Sequence, residues 1–161
     1  MVLLYGGGHH RTPYTWDKER VSSYIRYVDT DNQSHWLFDS FLFLEIMDTG
    51  TGGANKMFAK GYNLESANQA DWTKLIDYYF QSETGIGALD ASVKEASAIL
   101  GTPRQKRQIV ISIPEPIVYQ HPEQASSSTK YWGKIDNQTL DFSNSADRIK
   151  ACKWYIDQVR A

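Results

Sequence analysis

The sequence has little cysteine and no long apolar run. Cys152 is the only cysteine among 161 residues, which excludes an internal disulfide framework and a cysteine-based zinc site within this chain. No apolar stretch approaches the roughly 20 residues that a membrane-spanning helix requires. The apolar segment after Met1 is too short for a secretory signal peptide. We therefore predict no membrane span, and a strand that begins at residue 2 suggests a natural start further upstream.

The chain also lacks a charge excess of either sign. Its 17 basic and 19 acidic residues give a formal net charge of -2, which offers no electrostatic footprint for nucleic acid and no polybasic membrane patch. A composition of 41% hydrophobic and 22% charged residues excludes intrinsic disorder. The length suits a single domain over residues 1–161. The one bias is towards aromatic residues, which make up 13% of the chain.

Strands and helices are predicted to alternate along the chain. Strands are expected at residues 2–5, 36–47 and 109–113, the last being typical of a central parallel strand. Residues 25–36 are expected to form a hairpin, and residues 16–24 a short helix. Helices are predicted from an N-cap at Asp71, over residues 88–100 with a stop at Gly101, and from residue 145 onwards. Residues 120–144 are predicted to be mostly polar loop. The last helix is expected to bury one apolar side, formed by Ile149, Cys152, Ile156 and Val159.

This alternation predicts an α/β fold with a parallel sheet and flanking helices. Three major strands cannot close a barrel, which needs about eight. We favour the N-terminal portion of a (β/α)8 TIM-like barrel, comprising the first three βα units, over a small open sheet that is complete as it stands.

Candidate site residues follow from this arrangement, because functional groups in parallel α/β folds lie at the carboxyl ends of the strands. We predict substrate binding by residues at or near these ends: Tyr5, His9, His10, Trp36, Glu45, Asp48 and Glu115. Glu45 is the strongest candidate, because a carboxylate within an apolar strand must meet a partner or line a wet cavity. Asp39 lies six residues before Glu45, so in one strand both side chains would point to the same side, and Asp39 is expected to play a structural role.

Alternatives stay open for several of these groups. His9 and His10 could simply bind loop backbone, and Glu115 could be an ordinary exposed carboxylate. A metal site built from a histidine and these carboxylates is chemically possible, yet no compact ligand spacing supports it. The carboxylates look more like substrate-positioning groups than a complete acid–base pair, so catalytic residues stay unassigned. We expect no cofactor.

Three segments carry a family resemblance. The run from Leu3 to Arg11, LLYGGGHHR, together with WLFDSFLFLE from Trp36 and ISIPEP from Ile111, resembles a bacterial family of unknown function, DUF4855. The resemblance implies a glycoside-hydrolase-like (β/α) barrel in periplasmic, cell-surface or secreted proteins, and it implies no particular reaction.

The function hypothesis is accordingly a fragment of a carbohydrate-active barrel that contributes part of a sugar-binding cleft and is inactive alone. One alternative is a self-sufficient α/β binding or interaction module without catalysis, and a lesser one is a metal-dependent hydrolase. Open sheet edges would also favour self-association of the fragment.

Overall fold

A computed structural model describes residues 1–6, 15–48, 56–59, 65–117 and 131–161. In chain order its elements are β1 (Val2–Gly6), α1 (Lys18–Ser22), β2 (Arg26–Val28), β3 (Ser34–Trp36), β4 (Ser40–Glu45), β5 (Met47–Asp48), β6 (Lys56–Met57), β7 (Glu65–Ser66), α2 (Gln69–Phe80), α3 (Gly85–Leu100), β8 (Gln108–Ile111), β9 (Tyr131–Ile135), β10 (Gln138–Asp141) and α4 (Ser145–Arg160). The chain divides into two compact units. Unit 1 comprises Met1–Gly6, Thr15–Leu44 and Asp77–Ser112, and the described part of unit 2 comprises residues 45–48, 56–59, 65–76, 113–117 and 131–161.

A three-stranded parallel sheet organises unit 1, with the order β1-β4-β8. Strands β4 and β8 pair in parallel, so that Phe41 lies beside Ile109 and Phe43 beside Ile111. Phe41 and Phe43 are fully buried, and the Phe43 ring packs edge-on against Tyr79 of α2. The predicted α/β class with parallel strands is confirmed. The expectation of a central β8 is wrong, because β4 occupies the middle of this sheet and β8 lies at its edge.

The second strand is shorter than the apolar run that predicted it. Because β4 begins at Ser40, residues 37–39 separate it from β3, and Trp36 belongs to the predicted hairpin. That hairpin is confirmed: β2 and β3 pair antiparallel, with Tyr27 opposite His35. Its turn is closed by Asp29 and contains Asn32 at a φ of 59°. Asparagine tolerates this left-handed conformation better than most residues.

Helix α3 begins three residues before its predicted start and ends where the sequence indicated. Gly101, at a φ of 76°, caps the helix by donating its N–H to the Ser97 carbonyl. At the other end the Gly85 N–H donates to the Trp16 carbonyl at 2.8 Å. A Cβ on Gly87 would lie 2.0 Å from the Gln81 carbonyl oxygen, so only glycine allows this close approach.

Helix α2 starts earlier than its apolar stripe suggests. The Asn68 side chain accepts hydrogen bonds from the Ala70 and Asp71 N–H groups, and the Asp71 carboxylate accepts one from the Asn68 N–H. This reciprocal pair is a capping box. The prediction of Asp71 as the N-cap is therefore wrong: Asn68 is the cap, and Asp71 is the third residue of the helix.

The predicted polar loop at residues 120–144 is wrong in its second half. Strands β9 and β10 form an antiparallel hairpin there, joined by Asp136 and Asn137 at φ values of 51° and 64°. Two successive residues with positive φ make the tight turn whose twist suits a hairpin. The Asp-Asn pair was the sequence signal for this turn.

Helix α4 buries a different side from the predicted one. Asp147, Ala151 and Tyr155 face the interior, whereas Ile149 is 56% exposed and Ile156 37% exposed. The reason lies in the core of unit 2, where the buried Tyr155 packs against the edge of the Trp72 ring and selects that face. Within the described residues, no helix is long and apolar enough to cross a membrane.

Candidate functional site

Two carboxylates of unit 2 stand at the carboxyl ends of neighbouring parallel strands. Glu45 is the last residue of β4, and Glu115 follows the end of β8 by a short turn. Phe58 connects the two segments through its backbone: its N–H donates to the Ile46 carbonyl at 2.8 Å, and its carbonyl accepts from the Glu115 N–H at 2.7 Å. We call Glu45, Ile46, Phe58, Glu115 and Tyr155 the strand-end cluster.

The segments that carry these carboxylates are held rigidly. Phe58 is 4% exposed and Ile117 is 5% exposed, so both anchor their segments in the core. Glu115 lies between Pro114 and Pro116, and its carbonyl accepts from the Ile117 N–H at 2.9 Å. Proline fixes the backbone torsion φ, which stiffens this turn. The Glu115 side chain itself is exposed.

The two carboxylates experience different surroundings. Glu45 is half-buried, and its Oε1 atom is sealed from solvent, whereas Glu115 points into water. A sheltered carboxylate interacts more strongly with neighbouring dipoles and charges than an exposed one does, because the local dielectric constant is lower. The Glu115 carboxylate can therefore accept hydrogen bonds from a hydroxyl-bearing ligand, whereas the Oε1 atom of Glu45 is closed to one.

Tyr155 of α4 is the third chemical group of the cluster, and sequence reasoning missed it. Burial raises the pKa of its phenol, and the negative charge of Glu45 raises that pKa further. The phenol therefore remains protonated at neutral pH. It was missed because the predicted apolar side of α4 ran through Ile149 and Ile156 and left Tyr155 outside it.

An aromatic cluster continues from Tyr155 into the core. The Trp72 ring lies edge-on to Tyr155 at a centroid distance of 5.7 Å and edge-on to Trp132 at 5.0 Å. Trp132 in turn stacks on Phe142 at 5.7 Å and contacts Trp154 at 5.3 Å. Trp72 and Trp132 are too buried to meet a ligand, whereas Trp154 is half-buried.

Two of the other predicted site residues lie in the other compact unit. Tyr5 and Trp36 belong to unit 1. The Tyr5 carbonyl accepts a hydrogen bond from the Trp16 indole at 3.1 Å, and the Arg107 guanidinium lies 4.5 Å from the Trp36 ring centroid. The cation covers one face of the ring that we expected to stack on a sugar.

The other predicted residues fall partly or wholly outside the description. His9 and His10 lie outside the described residues. Asp48 pairs with Lys56 across β5 and β6, and only the backbone of this pair is described. Their part in the site stays a prediction.

The expectation that Asp39 lies within the apolar strand is wrong. Asp39 precedes β4 and is exposed, and its carbonyl accepts from the Gln108 N–H at 2.8 Å. Burial lowers the pKa of Arg107, and the negative charge of the Asp39 carboxylate partly counteracts that effect. Asp39 thus has the arginine neighbour that a structural role requires.

A metal ion in proteins is held by a group of histidine, cysteine, aspartate or glutamate side chains. The described part of the chain contains no group of three or more such side chains that could hold an ion. No curated protein and no solved structure shows a significant match to the chain. The family model for the domain of unknown function DUF4855 matches residues 1–161, the full length of the sequence. This match confirms the resemblance, and the chain belongs to the DUF4855 family.

Proposed function

We propose that the strand-end cluster forms part of a carbohydrate-binding site in the N-terminal portion of a glycoside-hydrolase-like barrel. The observation that carries the proposal is the pair of hydrogen bonds at Phe58, which tie the end of β4 to the turn after β8. Glu45 and Glu115 stand on these two segments. Ligands of parallel α/β proteins bind at this end of the strands.

The chemistry of the cluster suits a sugar. Sugar hydroxyls donate hydrogen bonds to carboxylates, and such charge-assisted bonds are stronger than neutral ones. Tyr155 is 1% exposed and meets no ligand itself, whereas the half-buried Trp154 indole offers an apolar surface to the C–H face of a sugar ring. Glu45 and Glu115 act in this proposal as positioning groups, and the catalytic residues of a complete barrel stay unassigned.

The proposal extends to location and assembly. A protein that binds glycans of the environment acts in the periplasm, at the cell surface or after secretion. Strands β1 and β8 are the outer strands of the described three-stranded sheet, so their free edges could pair with another copy.

An interaction module without catalysis is the second candidate, and one observation favours it. The β2–β3 hairpin of unit 1 exposes two large apolar side chains, with Tyr27 at 45% and Val28 at 54%, and Leu37, which directly follows β3, is 41% exposed. Exposed apolar residues that lie together mark surfaces for protein partners.

Calorimetric titration with a panel of neutral and acidic oligosaccharides tests the proposal. We expect at least one member of the panel to bind the unmodified chain, and Glu115→Gln to weaken that binding about tenfold or more, since a hydrogen bond to a charged group contributes about 1.5–3 kcal/mol. Glu83→Gln, which alters an exposed carboxylate of unit 1, is the matched control and should bind normally.

The same titration includes the outcomes that would contradict the proposal. Absence of binding across the panel, or equal weakening by Glu115→Gln and Glu83→Gln, would contradict the carbohydrate site. Loss of binding after changes at Tyr27 and Leu37, with Glu115→Gln unaffected, would favour the hairpin as the binding surface instead.

A further inference from the structure

A small cavity lies within unit 1, between the end of α1, the start of β2 and one side of α3. We call it the serine cavity, and its volume is about 50 Å³. Its lining residues are Ser22, Ile25, Arg26, Ser92, Glu95 and Ala96. A water molecule needs roughly 10–15 Å³ of such space, so the cavity has room for about four. Pockets for drug-sized ligands begin near roughly 300 Å³, so this cavity admits only a small molecule or one end of a larger one.

The lining changes in character from the inside of the cavity to its opening. Ile25, Ser92 and Ala96 are buried, with exposures of 1%, 3% and 3%. Arg26 and Glu95 are exposed and bring one positive and one negative charge to the opening. A ligand therefore meets apolar and hydroxyl groups inside and both signs of charge outside, which favours a neutral polar molecule over an ion.

The two charged groups keep hydrogen-bonding capacity for a ligand. Lys18 Nζ lies 2.6 Å from Glu95 Oε2, and this hydrogen bond and charge lower the pKa of Glu95. Glu95 is therefore ionised at neutral pH, and its Oε1 atom accepts no hydrogen bond from the described residues. Arg26 makes only a 3.5 Å contact, from Nη1 to the Ser34 hydroxyl, within the same part of the chain. The opening thus offers both donors and an acceptor.

The two serine hydroxyls have fewer protons than short contacts. Ser22 Oγ and Ser92 Oγ lie 3.0 Å apart. Ser22 Oγ also lies 2.6 Å from the Lys18 carbonyl oxygen, and Ser92 Oγ lies 2.9 Å from that of Ala88. Each hydroxyl carries one proton, so two protons serve three contacts and one contact always lacks a donor. A hydroxyl group of a ligand can supply the missing donor. The spacing of the two oxygens also matches that of neighbouring hydroxyl groups on a carbon chain.

We propose that the serine cavity binds the vicinal diol of a small neutral polyol or of a sugar. The diol hydroxyls donate to the serine oxygens and to Glu95 and accept from the Arg26 guanidinium, while the carbon chain packs on Ile25 and Ala96. Few contacts are made, so the dissociation constant is on the order of 1 mM. The cavity lies wholly in unit 1, so this site is independent of the strand-end cluster.

A titration with glycerol, followed through the amide NMR signals of the unmodified chain, tests the proposal. We expect saturable shifts at Ser22, Ile25, Ser92 and Ala96. The matched control ligand is 1,3-propanediol, which has the same carbon chain without the central hydroxyl and should produce no saturable shift there. Methyl glucoside distinguishes the two sources of the diol. Saturation by the glucoside as well points to a sugar, and saturation by glycerol alone points to a free polyol.

Variants of the lining separate binding from a general effect of the solvent. Arg26→Gln should weaken glycerol binding about tenfold or more, and Ser92→Ala about fivefold, as expected for charged and neutral hydrogen bonds. Arg104→Gln is the control for the exposed arginine of unit 1. Ser97→Ala is the control for the serine, because the Ser97 hydroxyl also donates to the carbonyl four residues earlier on α3. Circular dichroism melting verifies that all four variants fold.

Three results would overturn the proposal. The first is the absence of a saturable shift at the cavity with glycerol. The second is an equal response to 1,3-propanediol, since the vicinal hydroxyl would then be irrelevant. The third is equal glycerol affinity in Ser92→Ala and Ser97→Ala together with equal affinity in Arg26→Gln and Arg104→Gln, which would place the bound glycerol outside the cavity.

Discussion

At the scale of single residues, the interaction between Glu45 and Tyr155 determines the chemistry of the strand-end cluster. Burial of the phenol, and after it the negative charge of Glu45, raises the pKa of Tyr155 above the usual tyrosine value. A group whose pKa is higher in the folded state than in the unfolded chain stabilises the fold. Its contribution is complete at pH values below the unfolded pKa of about 10. This contribution is lost as the pH rises through the pKa of the folded state.

We predict that Glu45→Gln lowers the pKa of Tyr155, because the substitution removes the negative charge and keeps the shape of the side chain. Tyrosine ring signals in NMR spectra followed through an alkaline titration measure this pKa, and Tyr155→Phe assigns the signal. Glu83→Gln should leave it in place. An unchanged Tyr155 titration in Glu45→Gln would show that the two groups do not interact.

Gly87 is the residue at which packing and helix propensity oppose each other most clearly. Propensity alone favours alanine over glycine by about 0.5–1 kcal/mol in a helix interior. A Cβ at this position would nonetheless lie 2.0 Å from the Gln81 carbonyl oxygen. We predict that Gly87→Ala lowers the free energy of unfolding by about 1–3 kcal/mol, the usual cost of overpacking.

Urea denaturation measures this effect, with Ala98→Gly as the calibrating variant, since Ala98 is exposed on the same helix. Both substitutions should destabilise the chain although they exchange the same two residues in opposite directions. A more stable Gly87→Ala variant would contradict the close approach of α3 to Gln81.

At the scale of elements, the β2–β3 hairpin depends on one carboxylate. Asp29 accepts hydrogen bonds from the Gln33 and Asp31 N–H groups at 2.8 and 2.9 Å, and its second oxygen lies 2.6 Å from His35 Nε2. The backbone hydrogen bond from Gln33, followed by the bond with His35, lowers the pKa of Asp29. His35 also stacks on Tyr27, with ring centroids 5.1 Å apart.

We predict that the hairpin loosens in acid. A carboxyl whose pKa is lower in the folded state stabilises the fold above the unfolded value of about 3.9, and this contribution is lost as the pH falls through the folded value. Asp29→Asn should remove the stabilisation by the carboxylate charge at every pH and accelerate amide hydrogen exchange at Asp31 and Gln33. Asp31→Asn, which keeps the backbone donor, is the control, and equal exchange rates in the two variants would contradict the role of Asp29.

Elements with strong local signals could be predicted from the sequence. The β2–β3 turn, the glycine stop of α3 and the parallel β4 and β8 strands follow from turn residues, capping and apolar runs. The error at α4 has a different origin. An apolar stripe shows that a helix has an apolar side, but the neighbouring aromatic rings decide which side is buried, and those contacts lie far apart in sequence.

At the scale of the molecule, the candidate site was predictable only in part. Glu45 and Glu115 could be found because carboxyl ends of parallel strands gather ligands, a rule that needs only the strand assignments. Tyr155 and the backbone bonds of Phe58 could not be found, since both depend on long-range packing. Tyr5 and Trp36 were chosen for their closeness in sequence to strand ends, and the structure assigns them to the other unit.

Amide chemical shifts recorded by NMR during titration with an oligosaccharide test the central claim most directly. We predict saturable shifts at Ile46, Phe58 and Glu115, the three residues whose backbone groups join the two strand ends. Shifts confined to the β2–β3 hairpin, or no saturable shift with any sugar tested, would contradict a carbohydrate site at the strand-end cluster.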